Sequence, residues 1–246
     1  MAVPHLTTAL SGPILALEKR IREAMPAIEH WLRGKWQQHA IPFYCSVDLR
    51  NSGFKLAPVD TNLFPGGFNN LNTDFLPLCV QAMMAAVEKI CPEAHSILII
   101  PESHTRNIYY LQNVHVLERI MRHAGLNIRI GSLIPEITEP TPINLPDGNT
   151  LLLEPIVRKG NRLSVGNFDP CAILLNNDLS SGIPDSLKNL DQIIIPPIHA
   201  GWTTRLKSQH FTAYDRVAQE FAELIGIDTW LINPYFNSCG KIDFHE

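Results

Sequence analysis

Three short apolar runs constrain this chain more than any other feature. SILIIP at 96–101, AILL at 172–175 and QIII at 192–195 are too short for helices. Continuous apolar runs of that length are the mark of strands buried on both faces. Helical patterns lie around them. Asp74 can cap a helix over 75–90, which Cys91-Pro92 stops, and 107–124 forms another with Gly125 as its stop. In 209–225, Phe211, Tyr214, Ala218, Phe221 and Ile225 share one side, and Gly226 ends the helix. Strand and helix in alternation predict crossover units: an α/β fold with a mostly parallel sheet and flanking helices.

The remaining segments fit around that core. Residues 11–38 carry Ile14, Leu17, Ile21, Met25, Ile28, Leu32 and Trp36 at helical spacing, with Ser11 as a cap and Pro26 predicting a break near Met25. Residues 43–49 and 54–59 read as strands joined by an Asn51-Ser52-Gly53 turn, and 127–130 and 229–232 as further strands. Residues 132–170, rich in Pro, Gly and Asn, read as a hairpin excursion. The expected organisation is one α/β domain over 1–246: a helical segment at 1–40, a core from 41–131 and 171–246, and the excursion between.

Composition narrows the function. The 246 residues are 45% hydrophobic and 18% charged, enough to close a core without staples. Twenty basic residues against 24 acidic, a net charge of −4, argue against a nucleic-acid partner. No stretch offers some twenty apolar residues in a row, and no basic region precedes the N-terminal apolar run, so neither a membrane span nor a signal peptide is expected. Five cysteines without a CxxC pair suit reduced thiols and a cytoplasmic location.

In parallel sheets ligands bind beyond the strand C-termini, so the loops there are the candidate sites. Residues 43–72 gather Asp48, Arg50, Lys55, Asp60, Asn62, Asn69 and Asn70 among apolar anchors. Arginine or lysine there would hold a carboxylate, aspartate an ammonium, and the amides would give direction. A tight hairpin whose Asn and Gly residues only make turns stands equally open. After SILIIP come Ser103, His104, Thr105 and Arg106, where Ser103 or Thr105 can cap a helix whose N-terminus favours anions. After QIII come His199, Trp202, Arg205 and Lys207, which serve equally as a cationic loop or a plain surface loop. Asn176-Asn177-Asp178 is weaker, because one carboxylate makes no Mg²⁺ site. Arg50, Arg106 and Arg205 are expected to converge in one electropositive hollow for zwitterions.

The sequence has no GxxxxGK[ST], GxGxxG, GxSxG or HExxH motif, and its ten histidines lack metal-ligand spacing. Catalytic residues are not legible and no metal site is expected. A cysteine-dependent amide hydrolase stays open as a lesser alternative.

Four blocks, SVDLRNSGFKLAPVDTNLFPGGFNNLN, PESHTRNIYY, PPIHAGWTTRLKSQHF and NPYFNSCGKIDF, resemble those of the proteobacterial-type glutamate–cysteine ligase family and span 43–244. The resemblance implies an ATP-grasp ligase that joins L-glutamate to L-cysteine, the first step of glutathione synthesis, with ATP, Mg²⁺ and a γ-glutamyl phosphate. Positioning and charge neutralisation supply most of the catalysis in such a transfer. Family chains continue well past residue 246, so the resemblance implies that this chain is the N-terminal, substrate-side part. The ATP-grasp domain is expected C-terminal of it, with homo-oligomers or a complementing C-terminal chain as partners. A non-catalytic remnant or amino-acid-binding module of the same fold is the alternative.

Overall fold

The structure, a computed structural model, describes residues 12–90, 92–93, 95–103, 107–201 and 204–234. The chain forms two compact units, where the sequence suggests one domain: unit 1 from 1–41, 47–61 and 205–246, and unit 2 from 42–46 and 62–204.

Unit 1 contains α1 (Gly12–Glu23), α2 (Met25–Gln38), the hairpin of β1 (Ser46–Asn51) and β2 (Leu56–Asn62), and α5 (Lys207–Ile225). The helical stretch breaks at Ala24, and Pro26 falls in the first turn of α2, where its missing N–H costs nothing. The β1–β2 turn forms as expected, with the Gly53 amide donating to the Asn51 side chain at 2.8 Å. Gly226 adopts the left-handed conformation (φ 67°) that ends α5. Leu17, Ala218, Ala222 and Ile232 form one buried cluster, and Ile14, Ile28, Ala57, Phe211 and Ile225 are buried as well. Residues 229–232 do not form a strand. Thr229–Leu231 is a 3₁₀ turn, because the Asp228 carboxylate accepts from the Trp230 amide at 2.9 Å and closes the backbone locally.

Unit 2 is built on a six-stranded sheet. Its strands are β3 (Ser96–Pro101), β4 (Asn127–Ser132), β5 (Thr141–Asn144), β6 (Thr150–Pro155), β9 (Ala172–Asn176) and β10 (Ile193–Ile195), ordered β10-β9-β3-β4-β6-β5. All neighbours run parallel except β5 against β6. The supposed excursion is therefore part of the sheet: β5 and β6 form a hairpin around Leu145–Asn149, and β6 lies parallel beside β4. A second hairpin, β7 (Val157–Lys159) with β8 (Arg162–Ser164), follows.

The sheet buries both faces, as its apolar runs require. Alternating residues Ile97, Ile99, Ile128, Ile130 and Leu174 pack with Leu111, Val114, Leu117 and Met121 of α4 (Ile108–His123) and Met83 of α3 (Leu76–Ile90). Leu98, Ile100, Ile173 and Leu175 face the other way, onto Leu163, Val165, Leu179 and Leu187. Helices thus cover one face, and the β7–β8 hairpin and loops the other. Each fully buried Leu or Ile contributes about 1.5–3 kcal/mol, which makes this sheet the rigid element on which any site rests. The helix starts differ from expectation. Asn107, not Ser103 or Thr105, caps α4 by accepting from the Tyr110 amide at 3.1 Å. Ahead of α3 it is Asn72 that accepts, from the Asp74 amide, so Asp74 is the capped residue. Among the described residues no helix is long and apolar enough to cross a membrane.

Candidate functional site

From β3 the chain steps outward through β4 to β6, then returns to lay β9 and β10 on the other side of β3. The reversal falls between β3 and β9, whose last residues Pro101 and Asn176 are register partners. Connections leave in opposite directions there, so a crevice opens at the strand C-termini. The structure has a cleft of about 520 Å³ at that place. Its walls come from the residues that follow four strands: Glu102 and Ser103 after β3, Ser132 and Leu133 of and after β4, Pro155 and Ile156 of and after β6, and Asn177, Asp178 and Ser180 after β9. Ser181, Gly182 and Ser186 extend the rim.

A buried polar scaffold holds the floor. The Tyr110 hydroxyl, carried in by α4, accepts from the Glu102 amide at 2.9 Å and donates to the Asn176 carbonyl at 2.6 Å. The Asn176 side chain donates to the Pro65 carbonyl at 2.8 Å, and the Asn113 carboxamide accepts from the Phe68 amide at 2.8 Å. Asn177 donates to the Pro101 carbonyl at 3.2 Å and accepts from the Leu179 amide at 2.9 Å, which turns the chain sharply after β9. Burial pushes the Tyr110 and Tyr44 phenols well above their ordinary pKa, so both stay neutral. Low dielectric makes a satisfied network of this kind stiff, and an unmet member costly.

Chemically, the cleft offers two carboxylates (Glu102 and Asp178) and five serine hydroxyls (Ser103, Ser132, Ser180, Ser181 and Ser186), with no Lys or Arg among its described lining residues. The Asp178 carboxylate already accepts from the Ser180 amide at 2.9 Å and keeps acceptor capacity for a donor in the cleft. Among the described residues no group of three His, Cys, Asp or Glu side chains gathers as a metal site. The described lining thus offers neither a cluster of metal ligands nor a cationic side chain for phosphates.

Of the residues singled out in the sequence, the structure places Ser103 in the cleft. His104, Arg106 and Trp202 lie outside the described residues. His199 is exposed, its carbonyl accepting from Thr204. Asn62 turns the chain by accepting from the Phe64 amide at 2.8 Å, and Asn69 and Asn70 sit exposed in a 3₁₀ turn. The others belong to unit 1, where several have partners of their own. Asp60 pairs with Lys207 at 3.2 Å, Arg205 donates to the Thr61 carbonyl at 3.1 Å, and the Thr61 hydroxyl lies 3.0 Å from His210 Nε2. Burial, then the Arg205 charge, lower the His210 pKa, with Asp60 acting in opposition. The Lys55 ammonium stands 4.9 Å from the centre of the Trp230 ring, and Asp48 and Arg50 are exposed on β1. The expected meeting of three arginines has one member, Arg106, outside the described residues. The other two share unit 1, one exposed and one bonded to main chain.

Sequence reasoning ranks Asn177 and Asp178 low and, Ser103 apart, misses the cleft serines. Their signal was position: each stands beyond a buried strand. Cys171 carries no comparable geometry, because it pairs with Ser96 at the opposite, N-terminal edge of β3 and β9. Burial opposes its thiolate, yet hydrogen bonds from the Ser96 hydroxyl and nearby amides lower its pKa on balance.

Comparison with known proteins agrees with this architecture. The glutamate-cysteine ligase family model matches residues 18–246. No curated protein matches the chain. Among solved structures, one from Methylobacillus flagellatus KT, described provisionally as a gamma-glutamylcysteine synthetase, is 68% identical and superposes with a TM-score of 0.91. The match takes in 100% of this chain and 58% of that one, so the chain spans little more than half the relative's length. On the strength of a family match over nearly all of its residues, the chain belongs to the glutamate-cysteine ligase family.

Proposed function

We propose that this chain is the amino-acid-binding side of a glutamate–cysteine ligase, and that the cleft beyond β3, β4, β6 and β9 receives one of its amino-acid substrates. The observation that carries the proposal is the coincidence of the cleft with the reversal of strand order. In this reading Asp178 and Glu102 hold the α-ammonium, and the serine hydroxyls and loop amides receive the α-carboxylate. Glutamate and cysteine both bring that pair of groups. ATP and Mg²⁺, which the family's reaction requires, would be held by residues outside the described lining, which offers neither cations nor a ligand cluster for them. No step through ATP is therefore assigned to this chain's residues. An ATP-grasp domain following this segment remains the proposed source of that chemistry.

Calorimetry tests the reading. L-Glutamate or L-cysteine should bind the chain, and Asp178→Asn should weaken binding about tenfold or more, since a charge-assisted bond contributes about 1.5–3 kcal/mol. Absence of heat with either amino acid in a folded sample would refute it. The second reading, a binding module without turnover, is supported by the lack of cations among the described lining residues. Phosphate release from ATP by the isolated chain, dependent on both amino acids, would eliminate that second reading.

A further inference from the structure

Unit 1 carries an apolar surface that stays open among the described residues. β1 and β2 form a two-stranded sheet with no third strand among the described residues. Such ribbons are marginal without further packing. Beside the ribbon runs a groove of about 430 Å³, walled by Val47, Leu49 and Leu56 of the hairpin, Val217 and Phe221 of α5, and Trp31 of α2. Its described lining holds no Asp, Glu, Lys or Arg. Leu49 is 59% exposed, Val47 49% and Val217 40%, although all three are apolar. A contiguous apolar surface of this kind marks an interaction site. Freedom from charge makes it resemble a permanent interface, which has the composition of a core cut in two.

We infer that this groove is the seat of the remaining portion of the ligase, in the same chain or in a second one. The inference rests on the family reading and adds the surface to it. The occupant follows from the comparison: a structure 68% identical, with a TM-score of 0.91 over all of this chain, has this fold as 58% of its length. A fold joined to so large a companion has reason to bury an apolar face against it, and in unit 1 the groove, with no charged side chain among its described lining, is such a face.

The test extends the 246-residue chain with the rest of the Methylobacillus flagellatus sequence and measures amide hydrogen exchange with and without the extension. Exchange over 46–62 and 207–225 should slow about tenfold or more in the extended chain, and Leu49→Asp with Val217→Asp should abolish the protection. The β3 and β4 amides serve as the folding control and should not change. The full-length Methylobacillus flagellatus protein, whose fold is known, provides the second measurement: its matching segments should be as protected as those of the extended chain. Unchanged exchange over these segments in both proteins would overturn the inference. So would a dimer of the 246-residue chain alone that Val217→Asp dissociates, since the groove would then belong to a second copy. A separate assay for γ-glutamylcysteine keeps the two claims apart. Protection without turnover would leave the interface and remove the ligase reading, whereas turnover without protection would remove only the interface.

Discussion

Tyr110 and Asn176 meet at the point where the sheet changes direction: the phenol donates to the Asn176 carbonyl at 2.6 Å while accepting from the Glu102 amide at 2.9 Å. One side chain on α4 thereby ties together the residues that follow or end β3 and β9, and with them two walls of the cleft. Tyr110→Phe keeps the ring and leaves a buried amide and a buried carbonyl without this partner. The expected cost is about 2 kcal/mol in urea unfolding, together with weaker amino-acid binding. Unaltered stability would mean that the hydroxyl is dispensable to the floor.

The buried phenols also set an alkaline limit. A phenol whose native pKa lies above its ordinary value of 10.0 keeps its proton in the folded state after the unfolded chain has lost it. Above about pH 10 the native state therefore binds more protons than the unfolded state, and stability falls as pH rises. Tyr44 and Tyr110 together should give a slope of about 2.7 kcal/mol per pH unit between pH 10 and 12. Tyr214, which burial pushes up to about 12, adds to the fall over the same range. Denaturant titrations at stepped pH should show that slope halved in Tyr110→Phe once the Tyr214 contribution is subtracted with Tyr214→Phe. A flat profile to pH 12 would contradict the assigned burial.

Gly201 supports the cleft from behind. A methyl group at its Cα would lie 2.5 Å from the Asp178 carbonyl oxygen, a main-chain atom with no rotamer to yield. Gly201→Ala should cost about 1–3 kcal/mol and lower amino-acid affinity by displacing Asp178. Thermal melts and calorimetry check both, and an alanine variant that binds like the parent would show the loop to be pliant.

Glu154, 4% exposed on β6, is paired with Arg129 on β4 at 2.7 Å. Arg129→Met leaves the carboxylate buried without its partner and should destabilise unit 2 by about 3 kcal/mol, at the lower end of the range because Arg129 is partly exposed. Adding Glu154→Gln should recover part of that loss. A double variant no more stable than Arg129→Met would show that the carboxylate has other means of support.

Much of the fold was written locally. SILIIP and AILL announce strands because a parallel strand covered on both faces has no polar side to interrupt it, and Pro26 and Gly226 mark their breaks through backbone geometry alone. The pairing of β6 with β4 was not legible, since TPIN and TLLLEP resemble loop sequence and acquire a strand's neighbours only by a non-local contact. The division into two units is likewise a matter of which distant segments meet. For the site, the rule of strand C-termini pointed to four loops but ranked Asn176-Asn177-Asp178 below the other three, and it is that loop which, with Ser103, lines the cleft. Lys207 and Arg205 looked like free cations, yet Asp60 and the Thr61 carbonyl already engage them in unit 1. Ser180 and Ser186, which look like ordinary loop residues, reach the cleft because Asn177 turns the chain there.

In the proposed ligase the amino-acid substrate enters between the ends of β3 and β9. Titration of the isotopically labelled chain with L-glutamate and L-cysteine, followed by amide chemical shifts, tests it most directly. Shifts should concentrate at 101–103, 132–135 and 177–182 for at least one of the two. Shifts confined to 55–61 and 205–210, the ion-paired cluster of unit 1, or no shifts at millimolar ligand, would contradict it.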